Sequence, residues 1–435
     1  MHLHGTSYVD DGGHLVIGGC RAVDLARSFG TPLIVYDEAL IRERAAAYRD
    51  ALVRTKARGR IAYASKAFAC VAMCRLAQQE GLWLEVVSGG ELYTALRAQF
   101  PSDRIIMHGN NKTPAELEAA VEAGIGLVVI DNFYEIELLG RILRARGRTQ
   151  DVLLRVSPGV DAHTHAFVAT GKQDSKFGFD LHSGQALLAA RAVSADRALQ
   201  LRGLHAHIGS QIFDFDGFRV AADRLAGLYR EIEDVCGHQM DLVNLGGGLG
   251  IRYTEEDTLP PIGVAVERVI AAGRAAFSEQ GLPEPEWMLE PGRSLVAEAG
   301  TTLYTVGSRK DIAGVRSYVA VDGGMTDNPR LALYGSKYEA AVANRMREAP
   351  VEIVSIAGKC CESGDMLIWD VHLPHSQAGD ILAVSCTGAY TYSMASNYNR
   401  IGRPAVVFVK DGRAVEVVKR EGEEDLCRLD VLDAI

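Results

Sequence analysis

The sequence predicts an α/β architecture, a (β/α)8 barrel joined to a second, mostly antiparallel β domain. Three observations predict it. Eight short apolar or β-branched runs, at 60–64, 83–87, 104–107, 126–130, 151–156, 201–206, 241–245 and 286–289, alternate with amphipathic stretches. Eight is the number of parallel strands that closes a TIM-like barrel, in about 250 residues. After about residue 295 the alternation stops, and strand-like runs separated by Gly- and Asp-rich turns take over. A doubly wound open sheet is the alternative for the first part, and the strand count favours the barrel.

Stretches 114–123, 134–146, 183–196, 217–236 and 263–279 place apolar residues at helical spacing between the runs. The later runs fall at 301–307, 317–321, 351–356, 366–369, 380–385, 404–410 and 413–418, with turns such as Asp322-Gly323-Gly324 and Asp411-Gly412. Similar short runs in 6–36 suggest that the opening segment packs with this β domain. The expected division is a barrel over 38–296 and a β domain made of 1–37 plus 297–435.

The chain has 435 residues, 48% hydrophobic and 23% charged, and a formal net charge of -10. This is a globular composition, and an acidic chain makes a poor partner for a phosphate backbone, so no nucleic acid is expected. No apolar run approaches the ~18 residues of a spanning helix, so no membrane is expected. The opening MHLHGTSYVDDGG has neither a basic nor an apolar signal region. Eight scattered cysteines without a C-x-x-C pair read as free thiols in a reducing, cytoplasmic compartment.

Six groups of residues carry chemistry, four of them at places the barrel would bring together. Lys66 ends the first strand among small and apolar neighbours, where partial desolvation favours an imine-forming amine; solvated surface is the ordinary alternative. Gly246, Gly247 and Gly248 follow the seventh strand, and consecutive glycines let backbone N–H groups converge on an anion. Glu290, Pro291, Gly292 and Arg293 follow the eighth strand, so the two loops that usually hold phosphate in barrels supply glycines and an arginine. Glu290 is suited to a ring nitrogen, or else to an ion pair with Arg293. His205 and His207 follow the sixth strand and share a face. They either ligate a metal, with Asp161, His163 and His165 as further ligands, or His207 packs on a flat cofactor and Ser210 meets its phosphate. Phosphate-suited loops have no task in a metal hydrolase, so no metal is expected. In the β domain, Cys361 lies beside Glu362 and Asp365, acids that raise a thiol's pKa and suit it to proton donation; a buried cysteine beside a loop is the alternative. A phenol-rich segment, 388–399, contains Tyr390.

These residues, with YASKAF (63–68), SGGEL (88–92), HGNNKT (108–113), THAFVATG (164–171), SKFG (175–178), HIGSQI (207–212), NLGGGLGI (244–251), EPGRS (290–294), VDGGM (321–325) and CESGD (361–365), resemble the fold-type III pyridoxal-phosphate decarboxylases. That group has the alanine-racemase-like fold. CESGD, THAFVATG and the Arg330…Tyr334 segment point to its diaminopimelate branch. The resemblance implies pyridoxal 5'-phosphate as cofactor, held by Lys66 as an imine, with His207 stacked on the ring and Glu290 on the pyridine nitrogen. It implies that Ser210, Gly246, Gly247, Gly248, Pro291, Gly292, Arg293 and Tyr390 surround the phosphate or its approach. It implies that Arg293, Arg330, Tyr334, Glu362 and Tyr390 bind substrate, and that Cys361 donates a proton across the interface of a homodimer with shared sites. The implied reaction converts meso-2,6-diaminopimelate to L-lysine and carbon dioxide, the last step of lysine biosynthesis. Ornithine, lysine or carboxynorspermidine decarboxylation and a non-catalytic binding relative are the competing outcomes. Glu85 stands where the family usually has Asp, and Leu331 where a proline commonly follows the arginine. The 161–177 segment is a candidate lid.

Overall fold

The computed structural model describes residues 1–160, 175–237 and 239–431. The chain forms two compact units, one of Arg44–Gly250 and Leu259–Ser294, the other of Met1–Glu43, Ile251–Thr258 and Leu295–Ile435.

The first unit is a closed parallel barrel. Its strands, in chain order, are Gly59–Ala64, Trp83–Val86, Ile105–Met107, Leu127–Ile130, Gln150–Ser157, Leu199–His205, Leu242–Asn244 and Glu286–Leu289. Each pairs in parallel with the next, and the eighth pairs with the first through Met288 opposite Arg60. The short strand Phe179–Asp180 adds to the fifth. Strands covered on both faces must be apolar throughout, and Leu127–Ile130 is buried at all four positions. Ala62, Ile106, Leu127, Val129, Leu153, Leu242 and Met288 fill one core cluster among these strands.

Helices follow most strands, and their ends are written in the sequence. Thr113 and Glu116 form a capping box with Pro114 in the first turn, and Gly124 ends that helix in the left-handed region. Asn132 caps Phe133–Arg146 by accepting from Glu135 N–H. Helix Ile262–Glu279 packs tightly enough on buried Trp287 that a Cβ at Gly273 would lie 2.6 Å from the indole. Val71–Gln79 and Gly89–Arg97, which the periodicity does not single out, complete the early crossovers.

The second unit is built on a nine-stranded sheet. Its main path runs Met366–Leu373, Glu352–Ala357, Arg316–Val321, Gly300–Ile312, Leu33–Asp37, Ala405–Lys410, Arg413–Val418. Ile381–Val384 joins Gly300–Ile312 and carries Ala340–Val342, a strand too short for sequence alternation to reveal. Arg316–Val321 with Glu352–Ala357 and Leu33–Asp37 with Ala405–Lys410 are parallel pairs, and the rest are antiparallel. The opening segment therefore contributes a central strand here. Two clusters, one around Tyr304 and Val354 and one around Leu25 and Val407, form this unit's core.

Candidate active site

Parallel closure carries six chemically active side chains to the same end of the barrel. Lys66 lies in the single turn Ser65–Ala67 after the first strand. Glu85 lies near the end of the second strand, and His108 directly follows the third. His205 and Asn244 are the last residues of the sixth and seventh strands, and Glu290 directly follows the eighth. This C-terminal rim is where barrels place catalysis.

Glu290 is the centre of a buried network. Its Oε1 accepts from Asn244 Nδ2 at 2.6 Å and pairs with His108 Nε2 at 2.8 Å. Its Oε2 pairs with His205 Nε2 at 3.0 Å. Burial pushes the Glu290 carboxyl up, but His108 and His205 outweigh it and hold the group well below the usual carboxylate range. Burial also pulls the His205 imidazole down to about 4, against the opposing pull of Glu290, so this ring is neutral at pH 7. The guanidinium of Arg293 donates to Ser210 Oγ at 2.9 Å.

Lys66 donates from Nζ to Glu85 Oε1 at 2.9 Å, with the lysine side chain 40% exposed and the carboxylate 2%. The longer acid at position 85 thus reaches the amine. His207, half-buried, accepts from Gly247 N–H at 3.3 Å through Nδ1. Burial and the Lys66 cation hold its ring well below the ordinary histidine value. The glycine run is obligatory where it approaches the Glu290 backbone: a Cβ at Gly247 would lie 2.1 Å from the Glu290 carbonyl oxygen. Gly248 adopts a φ of 107°, open to glycine and strained for other residues. The run does not lead straight into a helix; Leu249 bridges to Ile212, and the next helix begins at Ile262. Gly292 packs on Ala64 and Ala67, and Pro291 O accepts Ala64 N–H, which joins the ends of the first and eighth strands.

The remaining predicted residues lie in the sheet unit. Arg330 opens the short helix Arg330–Tyr334 and is 6% exposed. Its guanidinium lies over the rings of Tyr334 at 5.1 Å and Tyr390 at 5.5 Å. Its Nε is buried without a hydrogen-bond partner, and no carboxylate among the described residues forms an ion pair with it. Leu331 therefore leaves the arginine buried and stacked. Cys361 is exposed, its N–H donates to Asn399 Oδ1 at 2.7 Å, and Tyr398 donates to its carbonyl at 3.4 Å. Glu362 is exposed and turns back to accept Gly364 N–H at 3.3 Å. Asp365 is buried and bonds the N–H groups of Met325 and Cys360, pinning the loop. The thiol that burial and Asp365 push up, to about 11, is Cys360.

Sequence reading did not assign His108 or Asn244. Both lie inside quoted motifs, HGNNKT and NLGGGLGI, at strand ends, which is the signal that finds them. It grouped His205 with His207, whereas the fold pairs His205 with His108 and Glu290. That triad is the group of potential metal ligands among the described residues, within 4.8 Å of one another. With Asn244 donating to the same carboxylate, its geometry is that of a hydrogen-bonded acid. Asp161, His163, His165 and most of the suggested lid lie outside the described residues.

An amine, a buried ionised acid and an arginine–serine pair beside a glycine turn, all on one barrel rim, meet the needs of a pyridoxal phosphate enzyme. Residues 38–297 match the family model for the "Pyridoxal-dependent decarboxylase, pyridoxal binding domain", and the chain belongs to that family of lyases. Within it the chain belongs with the diaminopimelate decarboxylases. It is 58% identical over 431 residues to that enzyme of Bacillus subtilis, covering 99% of this chain and 98% of the relative. The Halalkalibacterium halodurans enzyme is 56% identical over 431 residues, with the same coverage of 99% and 98%. The crystal structure of the M. jannaschii diaminopimelate decarboxylase with L-lysine superposes at a TM-score of 0.91, with 35% identity and 98% of each chain covered.

The cofactor is pyridoxal phosphate, and the residues present fit it. Its three recognisable ends, an aldehyde, a ring nitrogen and a phosphate, each find a matching group: Lys66, Glu290, and Arg293 with Ser210 and the glycine run. The close approach of Gly247 to the Glu290 backbone leaves no room for a side chain between the acid and the phosphate-suited loop.

Proposed function

We propose that this enzyme decarboxylates meso-2,6-diaminopimelate to L-lysine and carbon dioxide, the last step of lysine biosynthesis, as a cytoplasmic homodimer with shared sites. The observation that carries the substrate is Arg330. A buried guanidinium without a carboxylate partner is costly, and a substrate carboxylate relieves it. Diaminopimelate has a distal carboxylate and ornithine and lysine do not, so such an arginine selects against them. The activity of the relatives, which are diaminopimelate decarboxylases, supports the same reading.

When bound, the cofactor supplies an electron sink for the pair left by the departing carboxylate. Lys66 is assigned to hold its aldehyde carbon, His207 to pack on the ring, and Glu290 to accept from the ring N–H. Ser210, Gly246, Gly247, Gly248, Pro291, Gly292 and Arg293 are assigned to the phosphate. Arg293, Arg330, Tyr334, Glu362 and Tyr390 are assigned to substrate, Tyr390 also to the phosphate. Cys361 of the partner subunit is assigned to deliver a proton to the α-carbon; its exposure in the single chain supports an interface position. The barrel is assigned to 38–296 and the substrate and interface residues to 1–37 plus 297–435. Eight free thiols support a reducing compartment. Among the described residues no helix is long and apolar enough to cross a membrane.

The test is carbon dioxide release with added pyridoxal phosphate from meso-diaminopimelate, L-lysine, L-ornithine and L-arginine. Strong preference for diaminopimelate is expected. Removing the cation in Arg330→Met should raise KM for it at least tenfold, since a charged hydrogen bond to a buried group is worth about 1.5–3 kcal/mol. Release from another amino acid overturns the substrate; release from none, with cofactor bound, favours a binding relative.

A further inference from the structure

His108 and His205 have no role in the assignments above, yet they are among the most buried polar residues of the barrel, 2% and 1% exposed. Their rings meet edge to face with centroids 4.7 Å apart. They come from the ends of the third and sixth strands and reach opposite oxygens of one carboxylate. Asn244 completes the set. Its Oδ1 accepts Gly246 N–H at 2.8 Å, so its amide group is oriented and presents N–H to Glu290 Oε1. Oε1 is therefore an acceptor at that contact. On His205, Nδ1 is buried without a partner, so the neutral ring carries its proton on Nε2 and donates it to Oε2. Oε1 has two partners and Oε2 one, which leaves Oε2 the lone pair for a further donor.

We propose that His108 and His205 are positioning residues for the cofactor's ring nitrogen: they fix the rotation of the Glu290 carboxylate and leave Oε2 free to accept from that nitrogen. The proposal rests on the assignment of Glu290 to the ring nitrogen. Catalysis by this sink depends on the ring nitrogen keeping its proton, and a carboxylate that turned away or took up a proton would no longer hold it. Two imidazoles and an amide supply the contacts that hold the carboxylate in place. Around them, Lys66, Arg155 and His207 face the same network, and Asp131 pairs with Arg155 at 3.8 Å.

The test uses the full-length protein stripped of cofactor and reloaded with pyridoxal phosphate, read by binding titration and by the pH dependence of the bound cofactor's visible absorbance. His205→Leu and His108→Leu remove a donor and leave a buried carboxylate oxygen short of a partner, which should weaken cofactor binding roughly tenfold to a hundredfold and displace the absorbance profile. His205→Gln and His108→Gln, which can still donate, should recover most of the affinity and the profile. His205→Leu should act more strongly, because Oε1 keeps Asn244. Thermal unfolding of each cofactor-free variant separates misfolding from mispositioning, and the Gln variants carry the test where the Leu variants do not fold. Glu290→Gln is the control for the underlying assignment: if it changes neither affinity nor spectrum, the assignment of Glu290 fails. If Glu290→Gln changes both and the histidine variants change neither, only the positioning role fails. Stoichiometric binding of Zn²⁺ alone to the cofactor-free protein, abolished by His108→Gln and His205→Gln, would overturn the proposal in favour of a metal site.

Discussion

Lys66 and Glu85 show how much a single contact decides. The amine is partly exposed while its partner carboxylate is almost wholly buried, so the pair is held by the acid's position in the second strand. Lys66→Ala should abolish the visible band of lysine-bound cofactor and leave phosphate-dependent binding weak but measurable. An unchanged spectrum in that variant removes Lys66 from its assigned role. Lys66, His205, His207 and Glu290 were legible at the rim, because each lies at or just past the C-terminal end of a run that reads as a strand, whereas His108 and Asn244 were quoted in motifs without a role. The partners of these side chains were not legible. His205 and His207 share a face by strand periodicity, and nothing local says that one turns to Glu290, 85 positions later, and the other to Gly247.

The turn after Arg316–Val321 makes the same point for an element. Three acids converge there. Asp322 accepts from Thr31 and from Thr305 N–H, Asp365 bonds the Met325 and Cys360 N–H groups, and Asp327 bonds Gly324 N–H and the Tyr304 hydroxyl. Burial raises the Asp327 carboxyl from 3.8 to about 7, although the Tyr304 hydrogen bond opposes it. A raised pKa means that the folded state binds the extra proton, so the contribution to stability is complete below pH 3.8 and is lost as pH rises through about 7. Asp327→Asn should therefore gain in Tm relative to the unmodified protein between pH 5 and pH 8; parallel Tm curves would show that this acid does not titrate in that window. The element also links chemistry to support, since the acid that anchors it, Asp365, fixes the loop of Cys361. Sequence periodicity marks the strand and the Gly-Gly turn but does not show which acids are buried, because that depends on Thr31, Thr305 and Tyr304, far along the chain.

At the scale of the whole molecule, the proposed dimer makes a prediction that no single chain can satisfy. Lys66→Ala and Cys361→Ala proteins should each be inactive as homodimers. Mixed and allowed to exchange subunits, they should regain up to about a quarter of the unmodified activity, since random exchange makes half the dimers mixed and each mixed dimer has one intact site. No recovery, with exchange verified by differential labelling, would place Lys66 and Cys361 of the same chain in one site.

By itself the sequence determined the alternation of strand and helix, the count of eight, the change to antiparallel pairing near residue 295, and Lys66, His205 and Glu290 at strand ends. These are local properties: periodicity, capping and glycine each act within a few residues. Tertiary structure alone decided that Leu33–Asp37 is a central strand of the later sheet, that Arg293 pairs with Ser210, and that His108, Asn244, His205 and Glu290 meet. The rim contacts follow from closing the barrel by joining its eighth strand to its first, which brings four strand ends separated by up to 182 positions within hydrogen-bonding distance, and the place of Leu33–Asp37 follows from pairing with Gly300–Ile312 and Ala405–Lys410, more than 250 positions away in the chain.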